Sequence, residues 1–262
     1  MTLASTARVA LLDGFSVDVG DGGTSPAADD LPRGVQRLVA RLSLAGRPCR
    51  AAIAGELWPD VPEEHAYGSL RSALWRLHKA VPGLVDTSGG ALGLAAGVQV
   101  DVREFAAWAA EVLDPCARPE DLAVHGVALE GELLPGWYDD WVLLERERLR
   151  QLRLRALEVL AEKLVEAGRP GEAIDIALAA VRGEPLRESA RRVLVRAHLA
   201  EGNLAEAVRE YDTFCAVLDA ELGVRPTVQM RELVRHVRPG AHRTPAPRRA
   251  PAVRDAPGAP VR

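Results

Sequence analysis

The sequence predicts a mainly α protein: a small α+β unit at the N-terminal end, then an all-α region of paired helices. Three observations carry this class. Apolar residues recur at helical spacing over most of the chain, and strand-like segments read only near residues 8–20 and 84–94. Hydrophobic residues make up 48% of the 262 residues but aromatics only 4%, so the cores are built from Leu, Val and Ala, and Ala and Leu are the best helix formers. From residue 156 onward the sequence echoes itself at a fixed offset of 34.

Residues 8–20, RVALLDGFSVDVG, read as two short strands around Asp13-Gly14, and the polar stretch from Asp21 to Asp30 reads as a loop. A first helix is expected from Gly34 to Ala45. Leu31-Pro32 introduces it, Val35, Leu38, Val39 and Leu42 face inward, and Gly46 stops it. A second runs from Arg50 to Leu57, with Ile53 and Leu57 inward, and ends at Trp58-Pro59 because proline forces the preceding residue out of helix. The third lies in LWPDVPEEHAYGSLRSALWRLHKAV, residues 57–81, with Leu70, Ala73, Leu74, Leu77 and Val81 on one face. Pro82-Gly83 breaks it, and Leu84–Thr87 and Ala91–Leu94 around Ser88-Gly89-Gly90 read as a hairpin. Three helices and a small hairpin make a winged helix-turn-helix.

The far face of the third helix carries the functional signal. At 100° per residue it holds His65, Gly68, Ser72, Trp75 and Lys79, flanked by Arg71 and Arg76. The plain alternative is a tryptophan under a neighbouring element and a solvated row of charges. A helix lying in a nucleic-acid groove explains the set better, because cations meet phosphates and base edges while a ring packs on sugars or a thymine methyl.

Gly97–Asp101 joins this unit to a helix from Val102 to Leu113, followed by a loop over Asp114–Glu120 and a helix expected over Asp121–Glu130. A long helical pattern runs from Trp137 to Gly168 with Val142, Leu149, Leu152, Leu157, Leu160 and Leu164 inside. Ala156, Val159, Leu160, Gly168, Glu172 and Ala173 then reappear as Ala190, Val193, Leu194, Gly202, Glu206 and Ala207. That is the period of a tetratricopeptide repeat, two antiparallel helices packed through small residues. Pro185 and Pro226 separate helices, and the Pro-, Ala- and Arg-rich tail beyond about Pro239 is expected to be disordered. The expected domains are residues 1–100, 101–237 and the tail 238–262.

The net charge of −4 is unevenly spread. Arg33 to Lys79 holds eight basic against four acidic residues, Glu111 to Val237 holds 17 against 24, and the tail from Arg238 holds six against one. What matters for DNA is the local field of one face, screened beyond about 8 Å at physiological salt. Cys49, Cys116 and Cys215 form no C-x-x-C pair, and the six histidines show no metal spacing, so neither a zinc site nor a disulfide framework is expected. No apolar run approaches 18 residues and no signal-peptide pattern opens the chain, so a cytoplasmic, nucleoid-associated protein with no membrane partner is expected.

A small strand-rich lead before the three helices resembles the OmpR/PhoB type of winged helix. Two blocks are similar to known regulators. LPRGVQRLVARLSLAGRP with AGELWPDVPEEHAYGSLRSALWRLHKAV resembles the DNA-binding domain of the Streptomyces antibiotic regulatory protein family. The segment opening LLPGWYDDWVLLERERLR, containing EPLRESA and closing ELGVRPT, resembles the bacterial transcriptional activator domain that follows it there. The resemblance spans roughly residues 8–236. It implies a transcription factor, usually an activator, that binds direct repeats of double-stranded DNA as two protomers and recruits RNA polymerase holoenzyme. The recognition helix would fall on Glu63–Ala80, with Ser72, Trp75, Arg76 and Lys79 facing DNA and Arg71 nearby. Many members carry Asn-Leu-Arg where this chain has Ser69-Leu70-Arg71, which implies a weaker or different contact at Ser69. No G-x-x-x-x-G-K-[ST] occurs, so no nucleotide cofactor is expected.

The leading reading is therefore a sequence-specific DNA-binding regulator. Arg33, Arg37, Arg47 and Arg50 are candidate phosphate contacts, or else solvated charges, and Thr87 and Ser88 at the hairpin tip are candidates for the adjacent minor groove. The competing reading is a protein-interaction scaffold whose concave repeat surface takes a peptide, a small ligand or a second protomer, with an N-terminal unit that does not bind DNA. Catalysis is not expected: Asp139-Asp140 and Glu145/Glu147 sit on a charge-laced helix where pairing with Arg146, Arg148 and Arg150 accounts for them. Trp137, Tyr138 and Trp141 are expected to pack against the winged helix.

Overall fold

The computed structural model describes residues 7–20, 31–122 and 131–237. The expected loop at 21–30, nearly all of the expected helix at 121–130 and the tail from 238 lie outside the described residues. Pro119–Asp121, just before that gap, forms a single 3₁₀ turn.

Strands β1 (Ala7–Ala10) and β2 (Ser16–Val19) pair antiparallel around Asp13-Gly14, with Ala7 opposite Val19 and Ala10 opposite Ser16. Helices α1 (Arg33–Leu44), α2 (Arg50–Leu57) and α3 (Glu63–Ala80) follow. Then come β3 (Val85–Asp86) and β4 (Gly93–Leu94), an antiparallel pair, and β5 (Gln99–Val100). β5 returns to lie parallel to β1, giving a three-stranded sheet of order β2-β1-β5. This is a winged helix-turn-helix with a small N-terminal sheet. The inward residues of α1 and α2 are buried as their spacing requires: Val35, Leu38, Val39, Leu42, Ile53 and Leu57.

Helix α4 (Asp101–Leu113) leaves β5 directly. Its first residue clasps the sheet: one Asp101 carboxylate oxygen accepts the N–H groups of Leu11 and Leu12 at 2.8 and 2.9 Å, and the other accepts that of Val102. Burial pushes this carboxyl above its ordinary range, against the pull of the three N–H donors. Arg103 reaches the open end of α1, donating to the carbonyls of Leu42 and Ser43 at 2.8 Å and of Ala45 at 3.2 Å. Those carbonyls lack intrahelical partners, so a cation there satisfies both hydrogen bonding and dipole.

The repeat region consists of α5 (Asp140–Glu166), α6 (Pro170–Gly183), α7 (Glu188–Glu201), α8 (Leu204–Leu222) and α9 (Val228–Arg235). The 34-residue echo is structural. Ala156 and Ala190, Leu160 and Leu194, and Ala173 and Ala207 are each at most 1% exposed, at matching places in successive helix pairs. Gly168 and Gly202 both take positive φ, 73° and 85°, where each first helix turns over into its partner and a Cβ would be strained. The small α9 closes the array with Met230 and Val234 against Phe214 and Leu218.

Two details of the long helix differ from expectation. It begins at Asp140 rather than Trp137, because Trp137–Asp139 form an irregular link between the Pro135-Gly136 turn and the helix. Leu152 is only half-buried and Leu154 is buried instead: a Cβ on Gly183 of α6 would stand 3.0 Å from Leu154. The helix is covered by α4 on one side and by α6 and α7 on another, so a single inward stripe does not describe it.

One contiguous core runs from Ala7 to Ala197 and joins the winged helix to the first repeat helices. Residues 131–134 lie against the β1–β2 turn. Leu134 N–H donates to Leu11 C=O and Asp13 N–H to Glu132 C=O, both at 2.8 Å. Arg146 locks the following turn by donating to the carbonyls of Leu133, Leu134 and Trp137.

Candidate nucleic-acid interface

Helix α3 is held by Ala66, Leu70, Ala73 and Leu77 on its buried face. Its dipole is matched at both ends, with Glu63 and Glu64 in the first turn and His78 and Lys79 in the last. The opposite face is open. Arg71, Ser72, Trp75, Arg76 and Lys79 are exposed, Ser69 is half-buried, and Trp75 is 64% exposed. The Lys79 ammonium lies 5.5 Å from the Trp75 ring centroid, close enough for a cation–π contact that steadies both long side chains.

Two hollows flank this face. One, about 580 Å³, runs between the start of α1 and the first half of α3, with Trp58 in its wall and Ser69, Arg71, Ser72 and Arg76 along its rim. The other, about 370 Å³, lies between α3, the start of α2 and the wing, and gathers Arg50, Arg71, Trp75 and Thr87. Arg71 borders both.

The wing is pinned from behind. Leu92 N–H donates to Pro48 C=O at 2.9 Å, and Cys49 bridges to Ala91. Asp86 accepts from Ser88 N–H at 2.9 Å and from Arg47 at 2.7 Å, and these bonds hold its carboxyl down at about 2. Arg47 also donates to the carbonyl and hydroxyl oxygens of Ser88. Arg47 and Ser88 thus stand together at the wing tip, already bonded to each other.

Arg33 and Arg37 sit elsewhere. Both reach Asp139, at 3.8 and 2.6 Å, and the Arg33 guanidinium lies 3.5 Å over the Trp137 ring. Trp137 is 6% exposed and stacks on Phe15 at 5.9 Å with 28° between the rings. This cluster ties the winged helix to the repeat region. The aromatic trio divides: Trp137 and Trp141 are buried, whereas Tyr138 is 78% exposed, a correction to the expectation that it packs against the winged helix. The carboxylates at the start of α5 and just before it behave in part as expected. Glu145 pairs with Arg148 and Glu147 with Arg150, but Asp139 pairs across to α1, and Arg146 serves the preceding turn. Sequence reading missed Asp101 and Arg103, whose partners are backbone groups that leave no mark in the sequence.

The comparisons agree with this architecture. The model of the bacterial transcriptional activator domain matches residues 101–238. Regulatory protein AfsR of Streptomyces coelicolor is 34% identical over 214 residues, covering 76% of this chain and 21% of its own length. Regulatory protein AfsR of Streptomyces griseus is 33% identical over 209 residues, covering 73% and 21%. The chain thus spans 21% of the length of each of these relatives. Among solved structures, Mycobacterium tuberculosis EmbR in complex with a low affinity phosphopeptide superposes with a TM-score of 0.70 at 21% identity, covering 89% of this chain and 65% of that one, a likeness of fold. By class, the chain is of the Streptomyces antibiotic regulatory protein type. The chain belongs to the bacterial transcriptional activator domain family, with a winged helix ahead of that domain. Among the described residues, no helix is long and apolar enough to cross a membrane.

Proposed function

We propose that the chain binds DNA sequence-specifically through α3 and activates transcription from sites near promoters. One observation supports this reading above the others. Arg50, Arg71, Arg76 and Lys79 have no ion-pair partner among the described residues, while Arg33, Arg37, Arg41 and Arg47 on the neighbouring elements are all paired. The unpaired set surrounds a tryptophan that no core requires. In this reading Arg71, Ser72, Trp75, Arg76 and Lys79 enter the major groove with Ser69 at its edge, Arg50 meets a phosphate, and Thr87 and Ser88 approach the next minor groove.

The remaining parts follow from charge and the resemblance. The excess of acids over residues 111–237 keeps the helical region off phosphates and leaves it free to meet RNA polymerase. Binding to direct repeats sets two protomers head to tail, one B-DNA turn or about 10–11 base pairs apart. The interaction-scaffold alternative leaves the cationic face of α3 without a use.

Gel shifts on a defined operator, with thermal melts alongside, test the reading. Trp75→Ala and Lys79→Ala are expected to weaken specific binding about tenfold or more while the melting temperature stays within about 1 °C, because both side chains lie outside the core. Unchanged affinity in both variants would remove α3 as the recognition helix.

A further inference from the structure

The middle of α5 and the last turn of α6 frame a third hollow, of about 320 Å³, lined by no residue of α3. Its floor is apolar: Leu154, Leu157 and Ala179. Its rim carries three arginines, Arg150, Arg153 and Arg182.

The three arginines are not equivalent. Arg150 is satisfied, donating to Glu147 at 2.9 and 3.1 Å and to Glu184 at 2.8 Å. Arg153 is not. Its guanidinium lies 5.2 Å from the Phe105 ring centroid, its Nε is buried without a hydrogen-bond partner, and it makes no ion pair among the described residues. Burial lowers its proton affinity, and the charge of Asp13 partly offsets this. Arg182 is exposed and has no ion pair among the described residues. A half-buried guanidinium with an orphaned donor carries an uncompensated desolvation cost. Glu147 and Glu184 do not relieve it, since Arg150 already engages both.

A planar guanidinium fork matches a carboxylate or phosphate, and a cleft of this size lies at the small end of the range for organic ligands, roughly 300–1,000 Å³. We propose that this cleft binds a small organic anion, its carboxylate or phosphate head on Arg153 and Arg182 and its apolar body on Leu154, Leu157 and Ala179. The site is separate from the DNA-facing surface, and the proposal does not depend on DNA binding.

Titration calorimetry of the full chain with hexanoate, hexyl phosphate and hexanol, at ionic strength fixed with chloride, tests it. At least one of the two charged probes is expected to bind about tenfold or more tightly than hexanol, and the tighter of the two identifies the head group. Arg153→Gln and Arg182→Gln are each expected to weaken that probe about tenfold, with Arg209→Gln, on a remote exposed side chain, as the control. Arg182 is exposed, so its variant remains informative if Arg153→Gln fails to fold. Equal binding of hexanol, no binding of either charged probe, or full binding by Arg182→Gln would overturn the proposal.

Discussion

Replacing Trp137 by alanine tests how firmly the winged helix is bolted to the repeat region. The indole is 6% exposed, stacks on Phe15 from the β1–β2 turn and lies under the Arg33 guanidinium from α1. Truncating a buried tryptophan typically costs about 3–5 kcal/mol. The cation–π contact is included only lightly, at about 0.5 kcal/mol, because Arg33 is half exposed to water. For a protein of this length each kcal/mol moves the melting temperature by about 2–4 °C, so the expected fall is on the order of 10 °C. The neighbouring Tyr138→Ala, on a side chain 78% exposed, is expected to stay within about 0.5 kcal/mol of the parent. Scanning calorimetry on the pair is the assay. A second outcome is informative in shape: once the bolt is gone, the single transition expected from one shared core separates into two. A shift below about 2 °C for Trp137→Ala, or equal shifts for both variants, would refute the assignment of Trp137 as the joint.

Three further outcomes are expected. The logarithm of DNA affinity should fall with the logarithm of salt at a slope of about −3 to −4 per protomer, from the four unpaired cations Arg50, Arg71, Arg76 and Lys79, and Arg71→Ala should flatten it by about 0.9; a near-zero slope would show that this face does not dock on phosphates. The Asp86 carboxyl is depressed to about 2, so its hold on the wing is complete above the ordinary carboxylate pKa of about 4 and is lost as pH falls through its folded value. The Ser88 amide resonance should therefore titrate near pH 2 and not near pH 4, and Asp86→Asn should abolish that titration. Inserting five base pairs between two operator repeats should turn one protomer to the far side of the duplex and abolish cooperative binding, whereas a palindromic operator would replace the tandem arrangement with a two-fold dimer.

The residues that were legible in the sequence are those whose environment is set within a few turns of chain. Val35, Leu38, Val39 and Leu42 declare the buried face of α1 by spacing alone, as Leu70, Ala73 and Leu77 do for α3, and the same spacing exposes Trp75 and Lys79. The 34-residue echo works for the same reason, since each helix pair repeats one local packing problem. What stayed hidden is long-range and polar. Asp139 reads as one more acid on a charged helix until the fold brings it against Arg37 at 2.6 Å. Asp101 and Arg103 read as surface charges at a helix start, yet one clasps β1 and the other caps α1, because their partners are backbone groups some ninety and sixty residues away. Tyr138 departs from expectation because a cluster of aromatics in sequence says nothing about which ring faces out when an irregular link, not a helix, carries it.

The distribution of arginines separates the two tasks this fold combines. Those of α1 and its surroundings are turned inward: Arg33 and Arg37 to Asp139, Arg41 to Glu56, Arg47 to Asp86. Each such pair is partly exposed and contributes at most about 1 kcal/mol, so their value lies in geometry more than in stability. They fix the angle between α1 and the long helix, the distance between α1 and α2, and the position of the wing. Arg103 adds the same service from α4. Around α3 the pattern reverses, and Arg71, Arg76 and Lys79 have no ion-pair partner among the described residues, on a helix whose other face is packed. A cation already paired inside the protein must give up that partner before it meets a phosphate, whereas an unpaired one exchanges only water and counterions. Fold and charge therefore converge on one surface, a rigid helix whose free cations and exposed ring are carried at a fixed angle by neighbours whose own charges are spent on holding it there.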